Sequence, residues 1–309
     1  MSWNEPPILR AGAIAAFDVI CAGEARWDLS GPPALSADTA VSWRDVTASI
    51  PRVRPAGAAV MVALSLARRG LRVGLSASLG DDTVGRGLLE RISAAGVDTA
   101  GVSLSAARSG LFLVQGMGAA AQVVSYRREE APIVVPEGWS GQVLLLTGVS
   151  PVVGLAASFC KEARAARRTG TVVMIDINAR RHVWMGHDPR VLGMVLREAD
   201  VVRASSGDLA TLGLEAGAVR AMARKGSVVV LSGATRVQVT GPFGEVAAEI
   251  PASGAAIAPS AAIGAGDAFT ASACAALART GPVGLERADV WHRLLPRAQG
   301  ASLLGGARL

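Results

Sequence analysis

Gln142-Val-Leu-Leu-Leu-Thr147, Thr171-Val-Val-Met-Ile-Asp-Ile177, Val201-Val-Arg-Ala204 and Ser227-Val-Val-Val-Leu-Ser232 are four apolar runs of strand length, separated by sequence that reads as helix. Runs this rich in Val, Leu and Ile have no wet face, which is how strands covered on both sides of a parallel sheet are composed. The intervening stretches 154–168, 191–199, 208–212 and 218–224 carry helical spacing. Strand and helix alternating in this way require right-handed crossovers and give an α/β fold, a doubly wound and mainly parallel sheet flanked by helices. Upstream the same grammar continues with a strand over Phe17–Ala22, a helix over Ala58–Arg69, a strand over Leu71–Leu79 and a helix over Gly85–Ala95. In the first of these helices Val62, Leu66 and Arg69 fall at i, i+4 and i+7 with apolar neighbours between them. Two stretches, Trp27–Arg54 and Val102–Val124, are rich in Ser and Thr without helical period. They are expected to build a small β-sheet lid, over roughly 27–54 and 102–128, inserted into one domain spanning 1–309.

Composition narrows the class further. The chain has 309 residues, 50% of them hydrophobic and 18% charged, which excludes a disordered chain and is enough for one large α/β core. Cys21, Cys160 and Cys274 are far apart with no CxxC pair, so neither a disulfide framework nor a Cys-ligated zinc site is indicated, and a reducing cytoplasm is expected. The apolar stretch Ala11–Ala22 contains Asp18 and is shorter than the ~20 residues that span a bilayer. Glu5 precedes it and Glu24, Arg26 and Asp28 follow, so the chain reads as mature from Met1 with no membrane partner. The net charge of +6 comes almost wholly from dispersed arginines, without a basic run or interleaved aromatics. That pattern argues against nucleic acid and for a surface that attracts small anions. His182, His187 and His292 lack metal-ligand spacing.

Chemistry concentrates in Ala262-Ile-Gly264-Ala265-Gly266-Asp267-Ala-Phe-Thr270, which leads into an apolar helix over 271–279. Glycines allow a tight turn, and the free N–H groups of a helix start, with the positive end of the dipole behind them, attract an anion. Asp267 in the first turn either caps the helix or takes a proton from a hydroxyl held beside that anion. No GxxxxGK[ST] occurs, and no GxGxxG follows the first strand, so neither a P-loop nor an ordinary dinucleotide fold competes.

A series of matches in order makes the chain resemble the PfkB (ribokinase-like) family of carbohydrate kinases over nearly its whole length. Gly23-Glu24 with Asp28 resembles the family's opening segment, and Pro55–Gly70 its glycine-pair helix. Gly80-Asp81-Asp82 with Gly85, followed by Gly96-Val97-Asp98, is similar to the stretch reading GDD, G and GVD. Asp176-Ile-Asn178-Ala-Arg180 with Trp184 resembles the DxNxR-W segment of the fructokinase and 2-keto-3-deoxygluconate kinase branch. Asp200–Leu212 is similar to the segment carrying NxxE, Leu231–Ala234 to the nucleotide-side turn, and Gly264–Asp267 to the second family motif.

The resemblance implies phosphoryl transfer from ATP, with Mg²⁺, to a primary hydroxyl of a sugar or sugar acid such as fructose or 2-keto-3-deoxygluconate. It makes Asp267 the general base and the backbone of Gly264, Ala265 and Gly266 the anion hole, an assignment that suits a reaction run by positioning and charge stabilisation. It places Asp28, Gly57, Met61, Tyr126, Arg127 and Arg180 at the acceptor, and Asn178, Ser205, Asp208, Gly233 and Ala234 at ATP. Asp208 is the residue expected to order Mg²⁺ through water. Tyr126-Arg127 with Ala131 resembles the branch's YR…A segment, and Arg127 with Arg180 suits an acidic sugar, because guanidinium pairs with carboxylate. Arg180 is also placed to touch ATP phosphates. The chain departs from the family at Ala56 and Met61 in the sugar-binding helix, and at Ser205 and Asp208 in NxxE. Ala261 and Ala262 replace the usual Asp-Thr, which argues against activation by a monovalent cation such as potassium. These departures leave a second reading, a non-catalytic sugar- or nucleotide-binding regulator of the same fold, and a third, a kinase for another polyol or a nucleoside. Two copies are expected to be able to dimerise through the lid.

Overall fold

The computed structural model describes residues 15–30, 52–115, 122–126, 131–233, 235–249 and 265–295. The chain enters the large sheet with β1 (Ala15–Ala22) and crosses to the lid with β2 (Arg26–Ser30) and β3 (Arg52–Ala56). It returns through α1 (Ala58–Ala67), β4 (Val73–Gly80), α2 (Thr83–Ala94) and β5 (Asp98–Ser105). Strands β6 (Leu111–Gln115) and β7 (Gln122–Tyr126) complete the lid. The second half runs β8 (Trp139–Thr147), α3 (Val153–Arg168), β9 (Val172–Asp176), α4 (Arg181–Trp184), α5 (Leu192–Leu196) and β10 (Val201–Ser205). It continues with α6 (Ser206–Leu212), α7 (Ala216–Met222), β11 (Val228–Ser232), β12 (Arg236–Gly241), β13 (Gly244–Glu249) and α8 (Ala265–Thr280).

The described strands form a nine-stranded sheet in the order β13-β12-β11-β10-β9-β8-β1-β4-β5 and a four-stranded lid in the order β3-β2-β6-β7. All pairs from β5 to β11 are parallel, and only β12 and β13 run antiparallel, as a hairpin at one edge. The sheet buries both faces by strict alternation. Val19 and Cys21 join the core under α1, α2 and α8, while Ile20 and Ala22 join the core under α3 and α5. The neighbouring β8 repeats the pattern, with Leu145 on the first face and Leu144 and Leu146 on the second, the period of two expected of a pleated strand. The three cysteines are free and buried. Among the described residues no helix is long and apolar enough to cross a membrane.

The structure differs from the sequence expectations in three places. Residues 102–105, read with the lid, belong to β5, which pairs with β4 at the edge of the large sheet. The hairpin of β12 and β13 was not anticipated, although Val237 and Val239 alternate inward on either side of Gln238. Helix 191–199 is shorter than read, a 3-10 turn over Pro189–Val191 followed by α5.

The order of strands sets the place of the site. From β1 the chain moves outward through β4 and β5, and later from β8 through β9, β10 and β11 in the opposite direction, so the strand order reverses between β1 and β8. In open α/β sheets, ligands bind in the crevice outside the carboxyl ends of the strands at that reversal.

Candidate active site

The carboxyl ends of β1 and β8 deliver Gly23-Glu24 and Thr147-Gly148 to one rim, and two adjoining clefts open there. One is lined by Gly23, Ser78, Gly110, Ile133 and Phe159 beside those residues. The other, smaller, is lined by Arg26, Ala58, Asn178 and Arg180. Glu24, Thr147 and Gly148 line both. The rim is drawn tight at Gly57, the residue before α1, whose φ of 97° is open to glycine and strained for other residues. A Cβ there would stand 2.1 Å from the Glu24 carbonyl oxygen, so Gly57 fixes how closely the helix meets the strand end rather than offering a side chain to a ligand. Met61, one turn along α1, is half-buried and absent from the described lining of either cleft.

Asp267 lies in the first turn of α8. Burial, with Asp176 adding to it, pushes its carboxyl from the usual 3.8 to about 6, against the pull of Arg180, Arg203 and Arg26. Three guanidinium groups from three different elements therefore act on one carboxylate. Gly266 beside it packs on Arg203, since a Cβ there would lie 3.1 Å from two guanidinium nitrogens. Ala265 opens the helix, and Gly264, Ala261 and Ala262 lie outside the described residues.

Arg203, not singled out in the sequence, stands at the centre of the charged groups around Asp267. It sits in the middle of β10, its side chain 8% exposed, and donates through Nη1 to Asp176 Oδ1 at 3.1 Å and through Nη2 to Ser232 Oγ at 2.9 Å. Thr270 of α8 donates to the other Asp176 oxygen at 2.6 Å. Burial works against the Arg203 charge, but the carboxylates of Asp176, Asp208 and Asp267 outweigh it and raise its pKa. Burial likewise pushes the Asp176 carboxyl up, with Arg203 opposing. The ion pair thus ties the ends of β9, β10 and β11 to the first turns of α8. Its Nε has no partner among the described residues. The only sequence signal was a lone arginine inside an apolar strand, a position where a cation is rarely buried unless paired.

Asn178 has a φ of 46°, the one positive value among described residues other than glycine, and turns the chain at the end of β9. Local strain of this kind gathers at functional sites, and Asn tolerates it best after Gly. It presents Arg180, whose Nη1 donates to the carbonyls of Ala179 at 3.1 Å and Asn178 at 3.4 Å. Arg180 has no carboxylate in ion-pair range among the described residues, leaving its charge facing the cleft.

The other expected site residues make the following contacts. Asp28 is buried, and its Oδ1 accepts from Arg26 Nε at 3.1 Å. Arg26 also reaches Glu24 Oε2 at 2.5 Å and lies 3.8 Å over the Phe112 ring, a cation–π contact that holds it across the cleft. Asp208, expected to order Mg²⁺ through water, is held within the fold. Its Oδ1 accepts from Ala179 N and its Oδ2 from Ser205 N and Ser205 Oγ, each at 2.7 Å. With Ser205 it forms a capping box that starts α6, and the residue is 3% exposed. Gly233 N donates to Arg236 O at 2.8 Å, closing the turn after β11. Tyr126 ends lid strand β7 opposite Leu111, while Arg127 and Ala234 lie outside the described residues. Trp184, buried at 3% exposure, donates to Val149 O at 3.1 Å and serves the core.

The fold recurs in solved structures. A fructokinase with bound ATP from Xylella fastidiosa superposes with a TM-score of 0.75 at 22% identity, over 94% of this chain and 93% of that one. Aminoimidazole riboside kinase from Salmonella enterica gives 0.72 at 19% identity, over 94% of each chain. Adenosine kinase from Trypanosoma brucei brucei gives 0.72 at 19% identity, over 95% of this chain and all of that one. A family model described as pfkB family carbohydrate kinase matches residues 18–288, the span from β1 to beyond α8 that carries Asp267, Asp176 and Arg203. With that match over most of its length, the chain belongs to the pfkB family of carbohydrate kinases, phosphotransferases that act on an alcohol group.

Proposed function

We propose that the chain transfers the γ-phosphoryl group of MgATP to a primary hydroxyl of a sugar or sugar acid, with fructose or a 2-keto-3-deoxygluconate-like compound as acceptor. A single ribokinase-like domain carries the site, and the lid covers it. The observation that carries the reading is Asp267, a carboxylate titrating near 6 at the start of a helix, in the field of Arg26, Arg180 and Arg203. Such a pKa keeps the group ionised at neutral pH and still close enough to accept a proton in the transition state.

Asp267 takes the proton of the acceptor hydroxyl as that oxygen attacks phosphorus and the bond to the departing ADP breaks. The first N–H groups of α8 receive the charge spread over the moving phosphoryl oxygens. Arg180, a cation with no acid partner among the described residues, neutralises phosphate or an acceptor carboxylate at the cleft. Arg203 and Asp176 hold the first turns of α8 against the sheet so that Asp267 keeps its position. Asp208 accepts three hydrogen bonds from the fold, and no cluster of three His, Cys, Asp or Glu side chains occurs among the described residues. Mg²⁺ therefore belongs to the nucleotide as co-substrate, held by its phosphate oxygens.

A nucleoside is a second acceptor class, favoured by the apolar wall of Ile133, Leu155 and Phe159 in the larger cleft. Exposed Val53 on lid edge strand β3 supports pairing of two copies through the lid. The buried free cysteines suit a reducing cytoplasm.

The test is ADP release with MgATP against fructose, 2-keto-3-deoxygluconate, ribose, adenosine and aminoimidazole riboside, with and without potassium. One strong sugar responder, indifferent to potassium and lost in Asp267→Asn, is the expected result. A responder confined to the nucleosides moves the reading to the second class. No turnover, with ATP still raising the melting temperature, replaces the kinase by a binding protein.

A further inference from the structure

At the opposite end of α1 and α8 a separate cleft of about 350 Å³ opens between their C-terminal ends and residues 288–295. Arg69, just beyond α1, Arg279, in the last turn of α8, and Arg293 line it together. Arg69 donates to Ser272 Oγ at 3.1 Å, and its only charged neighbour of note is Arg279. Among the described residues neither Arg69 nor Arg279 has a carboxylate in ion-pair range. The nearby Asp289 is already shared between Arg293 at 2.5 Å and Arg287 at 2.7 Å. Arg69 and Arg279 are exposed at the mouth of the cleft, and desolvation of Arg69, with the Arg279 charge adding to it, lowers the Arg69 pKa. Leu71, Val290 and Leu294 add an apolar wall.

We propose that this cleft is a second binding site, for a phosphorylated small molecule. Two uncompensated guanidinium groups match the charge of a phosphate monoester dianion, and their planar forks suit its oxygens. The apolar wall takes the carbon skeleton of such a ligand. The site is not a subsite of the Asp267 cleft, because twelve residues of helix separate Asp267 from Arg279, ~18 Å at 1.5 Å per residue. A lone arginine at a helix C-terminus is explained by the helix dipole. Two such groups lining one cleft beside a hydroxyl are not. The ligand would brace α1 and α8, which pack against each other and whose other ends carry Ala58 and Asp267 at the candidate active site.

The experiment is calorimetric titration of the full chain at low ionic strength with inorganic phosphate and with phenyl phosphate. Mg²⁺ and a saturating, non-hydrolysable imido analogue of ATP are present to fill the first cleft. The wild type is expected to bind both, phenyl phosphate the tighter. The double variant Arg69→Gln/Arg279→Gln loses about tenfold or more in affinity, the scale of charged hydrogen bonds removed, while Arg69→Lys/Arg279→Lys keeps most of it. Binding unchanged in the glutamine pair, or no binding in the wild type beside the analogue, overturns the proposal. The comparison of variants assumes no catalysis, so failure here and failure of the kinase reading are separate results.

Discussion

Replacing Asp267 by Asn is expected to make the protein more stable and almost inactive. In the folded chain the Asp267 carboxyl titrates near 6 against a usual 3.8, so its ionised form carries an excess free energy set by that difference. At 1.36 kcal/mol per pH unit the full difference is about 3 kcal/mol, and the remaining contact of the residue with solvent reduces it to about 1–3 kcal/mol. The sign follows from the raised value. The penalty is absent below the unfolded pKa near 4, grows as pH rises toward 6, and is complete above it. Asn carries no charge, so the variant should gain ~2–5 °C in melting temperature at pH 8, given the unfolding entropy of a chain this long, and nothing at pH 4. Turnover at pH 8 should fall by a factor of ~10² or more, the contribution of a positioned general base. Scanning calorimetry from pH 4 to pH 8 and initial rates of ADP release measure both effects. A melting temperature that drops, or a gain independent of pH, would refute the argument that burial strains this carboxylate. Unchanged turnover would remove it from the reaction.

Three other outcomes follow from the same site. In the wild type, kcat/KM should fall about tenfold per pH unit below 6 and level off above it, since the base must be ionised; a flat profile between pH 5 and 7 contradicts this. Arg203→Met should cost ~3–5 kcal/mol in urea unfolding by leaving Asp176 buried without its partner, and should move the rate midpoint above 6 because a cation is taken from Asp267; a near-neutral stability change would show that the ion pair is not what holds α8. Asp208→Asn should cost ~1–2 kcal/mol through the capping box and leave the Mg²⁺ dependence of the rate alone, whereas a raised Mg²⁺ requirement would return Asp208 to the metal.

The alternation of apolar runs with helical stretches made the central sheet legible, because strands buried on both faces show themselves by hydrophobic continuity alone. Gly264–Asp267 was legible for a similar reason, since glycine spacing and a helix start are local properties. Arg203 was not. Its meaning depends on Asp176, 27 residues away, and Thr270, 67 residues beyond, meeting it in space. Ser205-Ser-Gly-Asp208 reads in sequence only through the family segment, as carrying the carboxylate for Mg²⁺; its helix-cap contacts, with three donors at 2.7 Å from the Asp208 oxygens, emerge only in the folded chain. Asp28 looked like a free carboxylate because Arg26, two positions away on the same strand face, reads as an unrelated surface charge until Phe112 is folded beneath it.

The position of β1 between β4 and β8 shapes the molecule's history during synthesis. Its residues pair with 73–76 on one side and 139–146 on the other. At translation speeds of ~5–20 residues per second, ~6–23 s separate the emergence of Ala22 from that of Trp139. For that interval Ala15–Ala22 is an apolar strand with an open edge, the kind of segment that chaperones guard and aggregates recruit. Slowing translation between Gly80 and Trp139 would therefore lower soluble yield without changing a single residue of the finished protein.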